Sequence, residues 1–231
     1  MTLFFLSHAG GSAKSYCTFR QFLPGELKVV PMELSGRLTR LSEPLLDTVP
    51  SCVSDLIEKH RELLREDYAL FGHSMGTVLA AELVRQAKEK GLAAPEHVFL
   101  SGKNPPDEKM HCFENADTAT DDEILSFFGS HSLSTPVPVA NKELLKLLNR
   151  LLCTDVRMTE RYSAAPGDID LGCDITVLFG TEDPLLKGTD MRGWGRFTSG
   201  KCKLYPFSGG HFYYQQHREE ICDIIKEKLD I

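Results

Sequence analysis

The chain has 231 residues, of which 42% are hydrophobic and 26% charged, and it carries a formal net charge of −7. That is ample material for one globular core, and the acidic balance argues against nucleic acid as the main partner, because phosphate binding needs a basic surface. No apolar run approaches the roughly 20 residues of a membrane span. Seven cysteines (Cys17, Cys52, Cys112, Cys153, Cys173, Cys202 and Cys222) are scattered without a C-x-x-C pair. An odd, dispersed set points to reduced thiols in a cytoplasmic setting and away from a zinc site or disulfide frame.

The opening Met1-Thr2-Leu3-Phe4-Phe5-Leu6 lacks the basic start of a signal peptide. Thr2–Ser7 reads instead as a buried strand. It ends in His8-Ala9-Gly10-Gly11-Ser12, a glycine-rich turn whose backbone can approach a reacting carbonyl. His8 reads equally as lining a site or as an incidental turn residue. Lys28–Leu34 is the next strand, and Ser35-Gly36-Arg37 turns the chain away. Arg37 and Arg40 read as solvated loop residues in preference to anion ligands. Leu46–Arg65 carries a helix, with Val53, Leu56, Ile57, Leu63 and Leu64 on its apolar face.

The most informative stretch follows. Tyr68–Phe71 is a short apolar run that leads into Gly72-His73-Ser74-Met75-Gly76 and then a helical pattern from Thr77 to Gln86. Strand, G-x-S-x-G and helix in that order predict a nucleophile elbow. Ser74 must sit on a strained turn, so its neighbours two residues away must lack side chains, and Gly72 and Gly76 meet that need. The Met75 amide then stands at a helix N-terminus, where it can hold an oxyanion. A second donor is expected from a loop near the glycine turn at 8–12.

Lys88-Glu89-Lys90-Gly91 stops the elbow helix, and His97–Leu100 is another strand. Strands nearly continuous in apolar residues, alternating with helices, predict an α/β fold with a mostly parallel central sheet and helices on both faces. The alternation breaks at about 107–172. Thr120-Asp121-Asp122-Glu123 has the pattern of a helix cap, Ser134–Pro138 reads as a non-helical link, and Lys142–Val156 as a strongly amphipathic helix. This insertion is expected to form a helical lid. Lys142, Lys146 and Arg150 fall four apart on one face of it; they form a solvated stripe or a docking strip for an acidic partner. Asp174–Phe179 and Lys201–Phe207 are the last strands, and Phe212–Leu229 closes the chain as a helix. No domain linker or repeat is visible, so one domain over 1–231 is expected.

A serine hydroxyl needs a base, and the base needs an orienting acid. Ser74, Asp183 and His211 occur in the chain order of the α/β-hydrolase triad, each just past the carboxyl end of a predicted strand. His73 adjoins Ser74 and points away from it. Asp107 remains open as the acid, because it follows the strand after the elbow. Glu182 is a lesser rival, and Asp155, on the lid helix, reads as structural.

These motifs together resemble the type II thioesterases, the editing enzymes of nonribosomal peptide and polyketide synthesis. The resemblance rests on His8–Ser12, Leu34-Ser35-Gly36-Arg37 with Arg40, Gly72–Gly76, Gly180-Thr181-Glu182-Asp183, Trp194 and Gly210-His211-Phe212. It implies an α/β-hydrolase fold with Ser74, Asp183 and His211 as triad, Met75 and Ala9 as backbone oxyanion donors, and a lid at about 107–172. It further implies a monomer that clears misprimed or stalled acyl groups from the phosphopantetheine arm of acyl or peptidyl carrier proteins, with no metal or redox cofactor. Medium-chain fatty-acyl release, general carboxylesterase action and a non-catalytic binding role are the alternatives. The chain departs from the family at Ser35, where proline is common, around position 8, and in its shorter N-terminal lead.

Overall fold

A computed structural model describes residues 1–108, 118–130 and 142–231. Six strands form one sheet: β1 (Thr2–Leu6), β2 (Lys28–Pro31), β3 (Tyr68–His73), β4 (His97–Ser101), β5 (Asp174–Gly180) and β6 (Cys202–Phe207). Their spatial order is β2-β1-β3-β4-β5-β6, and every pairing is parallel. Every position of β1, β3 and β4 is buried, which explains their unbroken apolar sequences. Successive side chains of a strand point to opposite faces. Phe4, Leu6, Leu70, Val98 and Leu100 therefore pack on one side, with α1 (Val49–His60) and α2 (Met75–Glu89). Leu3, Phe5, Ala69, Phe71 and Phe99 pack on the other, against α5 (Arg218–Leu229).

Helix boundaries follow local chemistry. α1 begins three residues later than the pattern suggests, because the Thr48 hydroxyl accepts from the Ser51 amide (3.3 Å) and Pro50 suits the first turn. The helix ends at His60, and a separate 3-10 turn takes Leu63–Arg65. The expected closing helix is likewise split into a 3-10 turn, Tyr213–Gln215, and α5. A 3-10 stretch at Ala13–Phe22, for which no element is expected, carries Tyr16 and Phe19 into the second core.

Between β4 and β5 lie α3 (Asp121–Ser130) and α4 (Lys142–Arg161). Thr120 and Glu123 make the reciprocal capping bonds expected of their pattern, at 2.7 Å and 3.2 Å. The expected link at Ser134–Pro138, and Cys112, lie outside the described residues. α4 is two-faced along its length. Residues 142–146 are exposed, whereas Leu151, Leu152, Asp155, Val156, Met158 and Thr159 are buried. Its C-terminal half is docked on the body: Met158 meets Cys52 of α1 (Sγ to Sδ, 3.6 Å), and the Tyr162 hydroxyl donates to Glu82 of α2 (3.0 Å). Ile169 and Leu171 then join the main core.

Candidate active site

The loops after β1, β3, β5 and β6 meet at the carboxyl ends of the strands, where an open α/β sheet places its site. The turn after β3 is the most constrained. Ser74 has φ 55° and ψ −118°, a conformation that costs a side-chain-bearing residue on the order of 1–3 kcal/mol. Its surroundings impose it. The Ser74 amide donates to the Ser101 carbonyl (2.7 Å), and its own carbonyl accepts from the Thr77 amide and hydroxyl (2.9 and 2.7 Å). A Cβ on Gly72 would lie 2.2 Å from the Gly76 carbonyl oxygen, and one on Gly76 would lie 2.1 Å from that of Leu6. Both glycines thus allow the start of α2 to cross the sheet at backbone contact. α2 is buried at 12 of its 15 positions, so a deeply packed helix fixes Ser74. Met75 is its first residue, and such an amide has no acceptor within the helix.

The loops after β5 and β6 are joined to each other. The Thr181 amide donates to Phe207 (2.8 Å) and the Glu182 amide to Gly209 (3.0 Å). Gly180 permits the crossing, since a Cβ there would meet the Gly210 carbonyl oxygen at 2.4 Å. This clasp brings His211 Nδ1 to 2.7 Å from Asp183 Oδ2. A carboxylate only accepts, so Nδ1–H donates and Nε2 is left free to take a proton. Asp183 Oδ1 accepts from the Leu185 amide (3.0 Å), which holds the carboxylate in plane. The His211 ring lies 5.0 Å from that of His73, the residue before Ser74. Ser74, Asp183 and His211 are all buried, at 8%, 4% and 5% exposure, so reacting groups would meet in a largely dry space.

The rival acid does not join them. Asp107 forms an ion pair with Arg196 at 2.6 Å, on an arm that is half exposed. His73 is fully buried and bonded through Nδ1 to the Ser101 hydroxyl (2.8 Å), which in turn meets the Tyr213 hydroxyl (2.6 Å). His8 is buried as well, with its ring 5.1 Å from Phe212 and 6.0 Å from His73. Burial, then the nearby His211 and Arg37, pull His8 down to about 3. Burial, followed by His211 and His8, also holds His73 well below the usual histidine range. Both are neutral near pH 7, so neither sets a positive charge beside His211.

The turn after β1 is closed by the Gly11 amide donating to His8 (2.9 Å), with Gly10 at φ 68°. Those are the marks of a turn with glycine at its third position and the Ala9 amide on its outside. Arg37 corrects the expectation of a solvated loop residue. It is 1% exposed and paired with Asp155 of α4, itself fully buried. Arg40 is buried too, held by Glu43 and Asp55 and by the Glu33 carbonyl (2.9 Å). Sequence reading missed the Arg37–Asp155 contact because the partners are 118 residues apart. Asp155 pairs with Arg37 and not with His211, whose partner is Asp183. Trp194 is buried and donates to the Lys103 carbonyl (2.8 Å), tying the loop after β4 to the body. One apolar cluster joins Ile124 and Phe128 of α3, Leu152 and Val156 of α4, Leu185 beside Asp183, and Ala9. Both insertion helices therefore cover the acid loop and the glycine turn together. Lys142, Lys146 and Arg150 are exposed on α4. Among the described residues no histidine, cysteine and carboxylate group could hold a metal ion, and no helix is long and apolar enough to cross a membrane.

A parallel sheet with a strained serine elbow after β3, and acid and histidine loops after β5 and β6, defines an α/β-hydrolase fold. The thioesterase domain family matches residues 1–229, and the chain belongs to that family. It is 31% identical to the thioesterase PikA5 of Streptomyces venezuelae, over 97% of this chain and 79% of that one. Among solved structures it resembles ClbQ from the colibactin NRPS/PKS pathway, at TM-score 0.88 and 31% identity over 99% of this chain and 96% of that one. It also resembles BorB, a type II thioesterase from the borrelidin biosynthetic cluster, at TM-score 0.84 and 30% identity over 99% and 92%.

Proposed function

We propose that this thioester hydrolase removes misprimed or stalled acyl groups from the phosphopantetheine arms of carrier proteins in nonribosomal peptide or polyketide synthesis. Ser74, His211 and Asp183 act as its triad. The observation that carries this reading is the 2.7 Å pairing of His211 with Asp183 beside a strained serine elbow, in a chain of the thioesterase family.

Ser74 Oγ attacks the thioester carbonyl while His211 Nε2 takes its proton. Asp183 keeps Nδ1 protonated and stabilises the imidazolium. The amides of Met75 and Ala9 hold the oxyanion; one such donor is worth on the order of 10²–10³ in rate. Collapse expels the pantetheine sulfur, which leaves as a thiol with the proton from His211. Water then attacks the acyl-serine by the same route, its proton passing through His211 back to Ser74, and the free acid departs. No metal or redox cofactor takes part, and the arm arrives with the substrate.

The chain's net charge of −7 gives no long-range attraction to an acidic carrier. The exposed Lys142, Lys146 and Arg150 on α4 supply a local one. The protein acts in the cytoplasm as a monomer. The test compares release of a short acyl group from a phosphopantetheinylated carrier, from the matching acyl-CoA and from a simple ester, for the native chain and Ser74→Ala. Fastest turnover on the carrier, lost in the variant, is expected. Equal rates on all three would mean a general esterase; repeated with longer acyl groups, a preference rising steeply with chain length would mean a fatty-acyl releaser.

A further inference from the structure

The glycine turn that presents the Ala9 amide is not held by its own loop alone. Its strongest anchor comes from the lid. Asp155 Oδ2, on α4, accepts from the Gly10 amide at 2.7 Å. The same carboxylate is gripped at both oxygens by the Arg37 guanidinium, through Nη1 at 2.6 Å and through Nη2. Arg37 Nη1 also reaches the Gly11 carbonyl, at 3.3 Å. Leu152, one turn before Asp155, packs on the turn so closely that a Cβ on Gly10 would sit 3.2 Å from its own Cβ. The two charged side chains are 1% and 0% exposed.

A buried ion pair is weak evidence for stability, because an apolar pair of similar volume serves as well or better. Orientation is what a bidentate carboxylate adds that an apolar contact lacks. Fixing the Gly10 N–H fixes the peptide plane between Ala9 and Gly10. The bond from the Gly11 amide to the His8 carbonyl fixes the preceding plane, between His8 and Ala9, which carries the Ala9 N–H itself, and the Asp155 bond holds the plane next to it. With both set, the Ala9 amide has one direction.

We propose that Asp155, held by Arg37, is a positioning residue for the oxyanion hole: the half of α4 that is docked on the body supplies the carboxylate that orients the turn. This rests on the reading of Ala9 as an oxyanion donor.

Two variants test it. Asp155→Asn keeps the shape and removes the charge. Arg37→Met with Asp155→Leu replaces the pair by apolar groups, leaving no uncompensated charge, so it folds where a single truncation fails. Each is assayed on an acyl-pantetheine thioester and titrated with two ligands. One is a trifluoromethyl ketone, whose adduct with Ser74 carries an oxyanion; the other is an unreactive thioether of the same acyl chain. The expected result is a fall in kcat of about 10- to 100-fold, part of the loss known for a whole donor. KM should stay within about twofold. Affinity for the ketone should fall by the same factor as kcat, and thioether binding should not change. Asp155→Asn keeps one acceptor for the Gly10 amide and should lose less than the double variant; a kcat within about threefold of the native chain in the folded double variant overturns the proposal. So does a thioether affinity that falls with the ketone's, or failure of both variants to fold, which would make the pair a structural element only. The native chain and Ser74→Ala are run alongside. An inactive native chain or an active Ser74→Ala would sink the thioesterase mechanism itself, a different failure from loss of the positioning role.

Discussion

The strain at Ser74 can be measured by replacing it twice. Ser74→Ala and Ser74→Gly both remove the hydroxyl and should both abolish turnover. They differ in what they leave on the backbone. Alanine keeps a Cβ at φ 55° and ψ −118°, where a side chain costs on the order of 1–3 kcal/mol. Glycine removes that cost but loses about 0.5–1 kcal/mol more conformational freedom on folding. The balance favours glycine by up to about 2.5 kcal/mol. For 231 residues the unfolding entropy is about 0.5 kcal/mol per kelvin, so the glycine variant should melt up to about 5 °C above the alanine one. Paired calorimetric scans or urea curves at pH 7 read the difference. At an unstrained position the order reverses, with glycine the less stable by up to 1 kcal/mol. That order here would refute the claim that the elbow stores strain.

Two further outcomes follow from the site. Asp183→Asn should lower kcat about 10⁴-fold on the same thioester, since the neutral amide no longer favours the required histidine tautomer. Asp107→Asn should leave kcat within about twofold and change stability by no more than about 1 kcal/mol, as expected for a surface ion pair with Arg196; equal losses in the two variants would reinstate Asp107 as the acid. Stability should also fall on acidification. The folded values of His8, at about 3, and of His73 lie below their unfolded value of 6.5, so below pH 6.5 the unfolded chain binds more protons. From pH 6.5 to 5 this should remove on the order of 1–2 kcal/mol through His8, with His73 acting in the same direction, read as a falling urea midpoint; a flat midpoint across that range would contradict the burial of both rings.

What the sequence announced and what it hid divide along a physical line. β1, β3 and β4 are buried on both faces, so their apolar runs are unbroken and their places clear. The elbow was legible because Gly72 and Gly76 are required by backbone contacts that no side chain tolerates. The cap at Thr120 and Glu123 is a local bond between neighbours, and local bonds leave local patterns. The Ala13–Phe22 stretch was missed because a 3-10 stretch lacks the 3.6-residue rhythm that marks a helix. Arg37 and Arg40 were misjudged because their burial depends on partners brought by the fold. Asp155 lies 118 residues from Arg37, and Asp55 lies on α1, 15 residues from Arg40. A charged residue in a glycine turn looks the same in sequence whether water or a carboxylate awaits it.

The strand order leaves β2 and β6 as open margins, and each carries a proline, Pro31 and Pro206. Their positions are not interchangeable with their neighbours'. Lys28 and Met32 donate inward, to Met1 and Phe5, so the nitrogen of Pro31 faces away from the sheet. Lys201 and Phe207 accept inward, from Ile175 and Thr181, so Pro206 faces outward too. Neither ring weakens the existing ladder, and each deletes a donor that an incoming strand would need. Lys203 adds charge along the β6 margin. The sheet thus offers passing strands no ready rail on which to stack, and fibril-like growth from either margin is discouraged.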